Sequence, residues 1–215
     1  MKTACIAFAA LTLAFSWPAE DIDYKKIFGS DYTWAVSWLQ KNDSLISAVA
    51  ASFHVPPKEL KSIVFPELIR YNKVFDAIQI ESLKYLYVTE GKTYANFSVG
   101  YFQMKPSFAE SVEREQSRLF EYTTGRIDEE GRRERVQRLV NTREQLIYLS
   151  AFYKICEKKF ADIKFTSADE KLKLFATCYN AGFHRSYESL LAMQHKKQFL
   201  NYNYSDISLY YFNKE

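Results

Sequence analysis

The chain has 215 residues, of which 47% are hydrophobic and 17% aromatic, and its formal net charge is +3 at pH 7. This is enough material for one domain with a full apolar core. The positive surplus is too small to indicate a nucleic-acid partner by electrostatics alone, so that class of protein is excluded from the interpretation.

Residues 1–16 have the pattern of a secretory signal peptide. Lys2 precedes an apolar run at residues 4–15, which is too short to cross a bilayer but matches the hydrophobic region of a leader. Ala14 and Ser16 put small side chains at the two positions that a signal peptidase inspects, so we expect cleavage after Ser16. The sequence therefore predicts an exported protein that is periplasmic or associated with the envelope.

Helical patterns follow the leader. Residues 31–53 carry apolar side chains at roughly helical spacing, with a break and a cap at Asp43 and Ser44, and predict two packed helices. Pro57 is suited to begin the next helix, because the N–H that proline lacks would be unsatisfied there anyway. Pro66 lies inside that helix and predicts a kink or a restart, since it removes a backbone hydrogen bond.

The middle of the chain predicts a helix, a loop and a charged segment. Residues 76–88 have helical spacing and stop before a glycine, and residues 92–99 follow as a small irregular or β-like flap. Residues 113–143 are dense in charges of both signs, with Gly125 and Gly131 as breaks. We interpret this segment as a solvated helix and loop without a binding role.

Two capping boxes mark the starts of two further helices: Thr142 with Gln145, and Ser167 with Glu170. The chain has no internal repeat, no low-complexity tract and no run of strands with period two, so the predicted fold class is mainly α.

Two cysteines, Cys156 and Cys178, remain after removal of the leader, in a compartment where disulfides persist. Both fall in predicted helices, and a bridge needs their Cα atoms within about 7 Å. The sequence leaves a disulfide and two buried free thiols as alternatives.

Three short stretches carry groups suited to glycan cleavage. They are V-F-P-E-L-I-R at 64–70, G-Y-F-Q-M-K-P at 100–106 and Y-N-A-G at 179–182. Glu67 has apolar neighbours, and burial raises the pKa of a glutamate toward the value that a general acid needs. Gly100 lets the backbone approach a ligand closely, and Gln103 offers a sugar both a donor and an acceptor. Each stretch alone also fits a structural role: an exposed glutamate paired with Arg70, a turn, or a helix end capped by glycine.

Together and in this order, the stretches resemble the lytic transglycosylase and goose-type lysozyme superfamily. The pattern of that superfamily is a helix ending in a glutamate, then G-x-x-Q-x-x-P, then a helical Y-N-A-G, and the match extends from Val55 to about Leu190. The resemblance implies a lysozyme-like helical domain with a substrate groove at residues 55–215. The helices of residues 17–54 would pack on this domain, and the partner would be peptidoglycan glycan.

The resemblance also implies a mechanism. Glu67 would protonate the oxygen between N-acetylmuramic acid and N-acetylglucosamine, then take the proton of the muramoyl C6 hydroxyl, which leaves a 1,6-anhydro end. Tyr179 would bond the catalytic carboxyl, Asn180 would contact substrate, and Gly182 would end the helix in a left-handed conformation. No second carboxylate is needed, because the substrate supplies the attacking oxygen.

One departure from the family pattern raises a rival acid. In typical members the glutamate is followed by serine and lies nearer to the glutamine, whereas Glu67 is followed by leucine and lies 36 residues before Gln103. Glu81 is followed by serine and lies 22 residues before Gln103. We favour Glu67, because an apolar helix leads from Pro57 to it as in the family.

Two other functions stay open: a lysozyme-type hydrolase of the same bond, in which water attacks, and a non-catalytic glycan-binding component of the envelope. We expect no cofactor and no metal, since His184 and His195 have no partners at metal-ligand spacing. The biological setting is equally open between wall turnover, opening of the wall for a secretion or conjugation machine, and attack on a competitor.

Overall fold

The structure, a computed structural model, describes residues 22–116, 119, 126–197 and 199–215. The predicted signal peptide at residues 1–16 and Gly125 lie outside these residues. Within them the chain is mainly helical, and β pairing is limited to two isolated bridges. The predicted mainly α fold class is confirmed.

The helices are α1 (Tyr24–Lys41), α2 (Asp43–Ser52), α3 (Pro57–Arg70), α4 (Lys73–Ser82), α5 (Val88–Glu90), α6 (Pro106–Glu115), α7 (Glu129–Leu139), α8 (Thr142–Lys159), α9 (Ala168–Ala181), α10 (Tyr187–Met193) and α11 (Tyr204–Lys214). A π-helical turn at Leu83–Tyr87 joins α4 to α5. The predicted break at Gly131 is wrong, since this residue lies in the first turn of α7.

The two predicted N-terminal helices are present and pack on the rest of the molecule. They meet at Asn42, which occupies the cap position in place of Asp43 or Ser44. Gly29 has a φ of 51° and kinks α1. Both helices pack on α3, and α2 also packs on α8. Residues 22–53 therefore share one hydrophobic core with the remainder of the described chain.

Helix α3 carries the candidate acid through the middle of the molecule. It begins at Pro57 as predicted and continues through Pro66, so of the two predicted alternatives, a kink or a restart, the restart is excluded. All residues from 62 to 69 are buried, and α3 packs on α1, α9 and α11. This packing on several sides offsets the cost of an interior proline, which is about 3 kcal/mol. The same packing encloses the side chain at position 67.

The helix predicted at residues 76–88 is present, but one face of it is exposed. It begins at Lys73, where the Asn72 side chain accepts two backbone N–H groups at 3.0 and 3.2 Å. Leu83 and Tyr87 are buried. Several large apolar side chains of the same stretch are exposed: Val74, Phe75, Ile78, Tyr85 and Leu86. The flap predicted at residues 92–99 is an irregular loop.

The charged segment at residues 113–143 contains a buried ion network, which corrects the prediction of a solvated helix and loop. Glu113 is 1% exposed and accepts hydrogen bonds from Arg135 at 2.6 and 3.0 Å, Arg138 at 3.3 Å and the Tyr148 hydroxyl at 2.5 Å. The charges meet because α6, α7 and α8 pack on one another. Charge density along the chain cannot show such pairing.

In one of the two predicted capping boxes, the first residue caps its helix as predicted. Ser167 accepts the backbone N–H of Glu170 at 3.2 Å and caps α9. The box of Thr142 and Gln145 is wrong, because Asn141 caps α8 by accepting two backbone N–H groups of its first turn. Gln145 is buried instead against the turn that carries Gln103.

Cys156 and Cys178 are buried and unbridged, which corresponds to the second alternative left by the sequence. Burial and a contact from the Cys178 thiol raise the pKa of Cys156. Within the described ranges, no helix combines the length and apolar content that a bilayer span requires.

Candidate active site

A groove of about 580 Å³ brings together four of the five predicted site residues. They come from three separate parts of the fold: Glu67 from α3, Gln103 from the loop before α6, and Tyr179 and Asn180 from the last turn of α9. The fifth, Gly100, does not line the groove. Residues far apart in sequence thus converge on one concave surface of a size typical of ligand-binding clefts.

Glu67 lines this groove and is only 3% exposed. Burial raises the pKa of its carboxyl from 4.5 to about 7, and the charge of Arg70 limits that rise. A carboxylic acid with a pKa near neutrality holds its proton often enough to donate it and ionises easily enough to take one back. The structure therefore gives Glu67 the burial that the sequence analysis required of an acid.

Arg70 and Tyr204 are the close neighbours of this carboxyl. Arg70 Nε lies 2.5 Å from Glu67 Oε2 and forms an ion pair one helical turn away on α3. The N–H does not point well at the oxygen, so Oε2 is buried without an aligned hydrogen bond. The Tyr204 hydroxyl donates to the Ile63 carbonyl at 2.8 Å and also contacts the Glu67 carboxyl.

Tyr204 is a site residue that the sequence analysis missed. It lies on α11, which packs on both α3 and α9, and its side chain is 3% exposed. Burial and the nearby charge of Glu67 raise its pKa well above the ordinary value of a tyrosine. No spacing or motif near position 204 indicates this role, because only the packing of α11 brings the hydroxyl to the acid.

Gln103 is presented by a tight turn. Val99 and Met104 pair through two backbone hydrogen bonds of 3.0 Å each, and the residues between them form the turn. Gln103 has a φ of 49°, and its side-chain amide donates to the Gly100 carbonyl at 2.8 Å. This bond uses one N–H of the amide. The side chain is half-buried, and it lines the groove with its other N–H and its carbonyl oxygen.

Gly100, predicted as a substrate-binding residue, has a structural role in the turn. Its φ is +74°, and a Cβ at this position would lie 2.1 Å from Nε2 of Gln145. The Gln145 amide donates to the Val99 carbonyl at 2.8 Å and accepts the Phe102 N–H at 3.3 Å, so it stabilises the turn from below. The absence of a Cβ at this position allows this close packing.

Tyr179 lines the groove, but its hydroxyl does not donate to the acid as the resemblance implied. It donates to the Phe102 carbonyl at 2.7 Å and ties the end of α9 to the turn that carries Gln103. Burial and the nearby charge of Glu67 raise its pKa well above the usual value. Asn180 is exposed in the groove, and Gly182, with a φ of 101°, follows the last residue of α9 as predicted.

Glu81, the rival acid, is not part of this groove. Its side chain is 72% exposed and pairs with Lys84 at 2.7 Å on the surface of the molecule. Burial, which a glutamate needs in order to hold a proton near neutral pH, is absent there. Of the two acids weighed in the sequence, Glu67 is the one that the fold encloses.

The charges of the groove are few. Among the described residues that line it, Glu67 is the only carboxylic acid, and Arg70, Lys105 and His184 carry the basic side chains. A neighbouring depression of about 480 Å³ shares Phe183 and His184 with the groove and extends it along the surface. The part of the chain that the structure describes contains no cluster of three or more side chains able to hold a metal ion.

Comparisons with protein-family models, with curated proteins and with solved structures returned no match.

Proposed function

We propose that the protein is a peptidoglycan lytic transglycosylase, which cleaves the β-1,4 bond between N-acetylmuramic acid and N-acetylglucosamine with Glu67 as its sole acid and base. The observation that carries the proposal is one buried carboxyl, with a pKa of about 7, in a groove beside Gln103, Tyr179 and Asn180. The resemblance of the segments that carry these residues to the superfamily pattern also supports the proposal.

The reaction would run in two proton transfers. Protonated Glu67 donates its proton to the glycosidic oxygen as the bond to the muramoyl C1 breaks, and N-acetylglucosamine leaves. The C6 hydroxyl oxygen then bonds to C1, and the Glu67 carboxylate takes the hydroxyl proton. Glu67 ends in the state in which it began, and the product carries a 1,6-anhydro ring.

The single carboxyl supports this reaction over hydrolysis of the same bond. Glycosidases of the usual kind need a second carboxylate, about 5 to 10 Å from the acid, as a nucleophile or as the base that activates water. Glu67 has no such companion among the described residues of the groove. A reaction in which the substrate supplies the attacking oxygen is the one that these residues serve best.

Mass analysis of digested cell-wall sacculi tests the proposal. The wild-type protein should release muropeptides with 1,6-anhydro ends, which are lighter by one water than hydrolysis products. Glu67→Gln should fold and release none, and Glu81→Gln, the matched control on the exposed surface, should remain active. Products with ordinary reducing ends would identify a hydrolase, and binding without cleavage by the wild-type protein would identify a non-catalytic component.

We also propose that the protein acts outside the cytoplasm, in the periplasm or at the envelope. The leader pattern at residues 1–16 supports this, and so does the location of the substrate. N-terminal sequencing of the protein recovered from the periplasm should begin at Trp17. A full-length protein retained in the cytoplasm would overturn the proposed location.

A further inference from the structure

Arg70 connects the solvent-exposed side of the groove with the buried acid. Its side chain is 38% exposed, whereas that of Glu67 is 5% exposed, so the guanidinium reaches from the solvent side of the groove to the buried carboxyl. It is the last residue of α3 and lies one turn beyond the acid. A ligand entering the groove meets Arg70 as it approaches Glu67.

The guanidinium makes two contacts, which do not use all of its N–H donors. On one side is the ion pair of 2.5 Å with Glu67, which lacks an aligned hydrogen bond. On the other side the guanidinium carbon lies 5.2 Å from the centre of the Phe199 ring. An arginine has five N–H donors in a planar fork that matches a carboxylate at two points. These contacts leave donors for a second anion.

An ion pair at this place opposes the proposed chemistry. The charge of Arg70 favours the ionised form of Glu67, whereas the first step needs the protonated form. The other groups that face the carboxyl are Lys105 from the loop before α6, Tyr179 from α9 and Tyr204 from α11. Arg70 is the charged group in direct contact with the carboxyl of Glu67. Its departure would therefore change the pKa of Glu67 more than the loss of any of the other three groups.

We infer that Arg70 is a displaceable counter-ion: it pairs with Glu67 in the free protein and moves to a carboxylate of an acidic saccharide when substrate binds. The inference rests on the proposed function and adds to it a residue that selects the substrate. The muramoyl sugar of peptidoglycan is acidic either through its own lactyl carboxyl or through the carboxylates of an attached peptide. A guanidinium engaged by such a group no longer holds Glu67 ionised, so binding of the correct substrate prepares the acid.

Binding measurements test the inference without any cleavage. The ligands are the disaccharide N-acetylglucosaminyl-N-acetylmuramic acid, the same disaccharide carrying a dipeptide, and neutral chitobiose, none of which contains the bond that is cleaved. Calorimetry on the wild-type protein should show binding of at least one acidic ligand about tenfold tighter than that of chitobiose, which is about 1.4 kcal/mol. The acidic ligand that shows the preference identifies the source of the carboxylate.

Variants assign this preference to one side chain. Arg70→Gln should bind the acidic ligands and chitobiose about equally, and Arg70→Lys should keep part of the preference because it keeps the charge. Arg143→Gln removes one exposed positive charge from α8, away from the groove, and should leave the preference unchanged. A wild-type protein without preference, or an Arg70→Gln variant that keeps it, would overturn the inference.

A titration of the Glu67 carboxyl by ¹³C NMR is a second test, because its midpoint would not change if Arg70 had only a structural role. The midpoint should rise above its value of about 7 in the free protein when the acidic ligand is added, and also in Arg70→Gln without ligand. Chitobiose should leave it in place. An unchanged midpoint in both cases would refute the counter-ion role. Failure of the wild-type protein to cleave sacculi would instead refute the proposed function. The binding and titration measurements would still test the counter-ion role of Arg70.

Discussion

Replacing Glu67 by glutamine should stabilise the protein at alkaline pH, because the native fold encloses a carboxyl that must ionise there. Burial raises the pKa of this group from 4.5 to about 7. A group whose pKa is higher in the folded state than in the unfolded state favours folding at low pH, and this contribution is lost as pH rises through the folded value. Glutamine has a similar shape and does not ionise, so it removes the cost.

The magnitude follows from the pKa values. A tenfold change in proton affinity corresponds to about 1.4 kcal/mol, so ionising Glu67 in the fold costs up to about 3 kcal/mol of unfolding free energy at pH 8. At pH 5 most folded molecules keep the proton, and the cost is below about 1 kcal/mol. The advantage of Glu67→Gln should therefore grow by about 2 to 3 kcal/mol between pH 5 and pH 8.

Urea denaturation of the wild-type protein and of Glu67→Gln at both pH values measures this difference. Subtracting the unfolding free energy of one protein from that of the other cancels the contributions of all other titrating groups. Glu81→Gln is the matched control, because it removes one carboxyl of an exposed ion pair and should change the unfolding free energy by less than about 1 kcal/mol at either pH. A difference between Glu67→Gln and the wild-type protein that is constant with pH would show that the carboxyl is not buried as described.

Two further substitutions test the frame around the site. Gly100→Ala should destabilise the protein by about 2 to 5 kcal/mol in thermal or urea unfolding, since it adds a clash with Gln145 to the strain of a positive φ. Gly91→Ala shares the positive φ but has open space around the new Cβ, and should cost about 1 to 2 kcal/mol; equal losses would refute the clash. Glu113→Gln should cost about 3 to 5 kcal/mol because it leaves a buried arginine without its anion, whereas Glu129→Gln, in an exposed ion pair, should cost less than about 1 kcal/mol.

The sequence by itself determined the mainly helical fold class, several of the helices and four of the residues that line the groove. Helical spacing located several of the helices, Ser167 capped one of them, and Pro57 began another. Three short motifs identified Glu67 as the candidate acid. They also contain Gln103, Tyr179 and Asn180, which the fold brings to the same groove. These features are readable because they depend on neighbours within a few positions along the chain, where propensity, capping and periodicity act.

Only the tertiary structure decided which contacts these residues make. Tyr204 reaches the acid because α11 packs on α3, and Glu113 is buried because three helices pack around it. Gly100 belongs to the turn and does not line the groove, and Gln145 packs against it from below. Burial and ion pairing depend on groups distant in sequence, so the same charged residue is solvated in one packing and enclosed in another. The sequence favoured Glu67 over Glu81 because of the apolar helix that leads to it, but only packing encloses Glu67 and leaves Glu81 exposed.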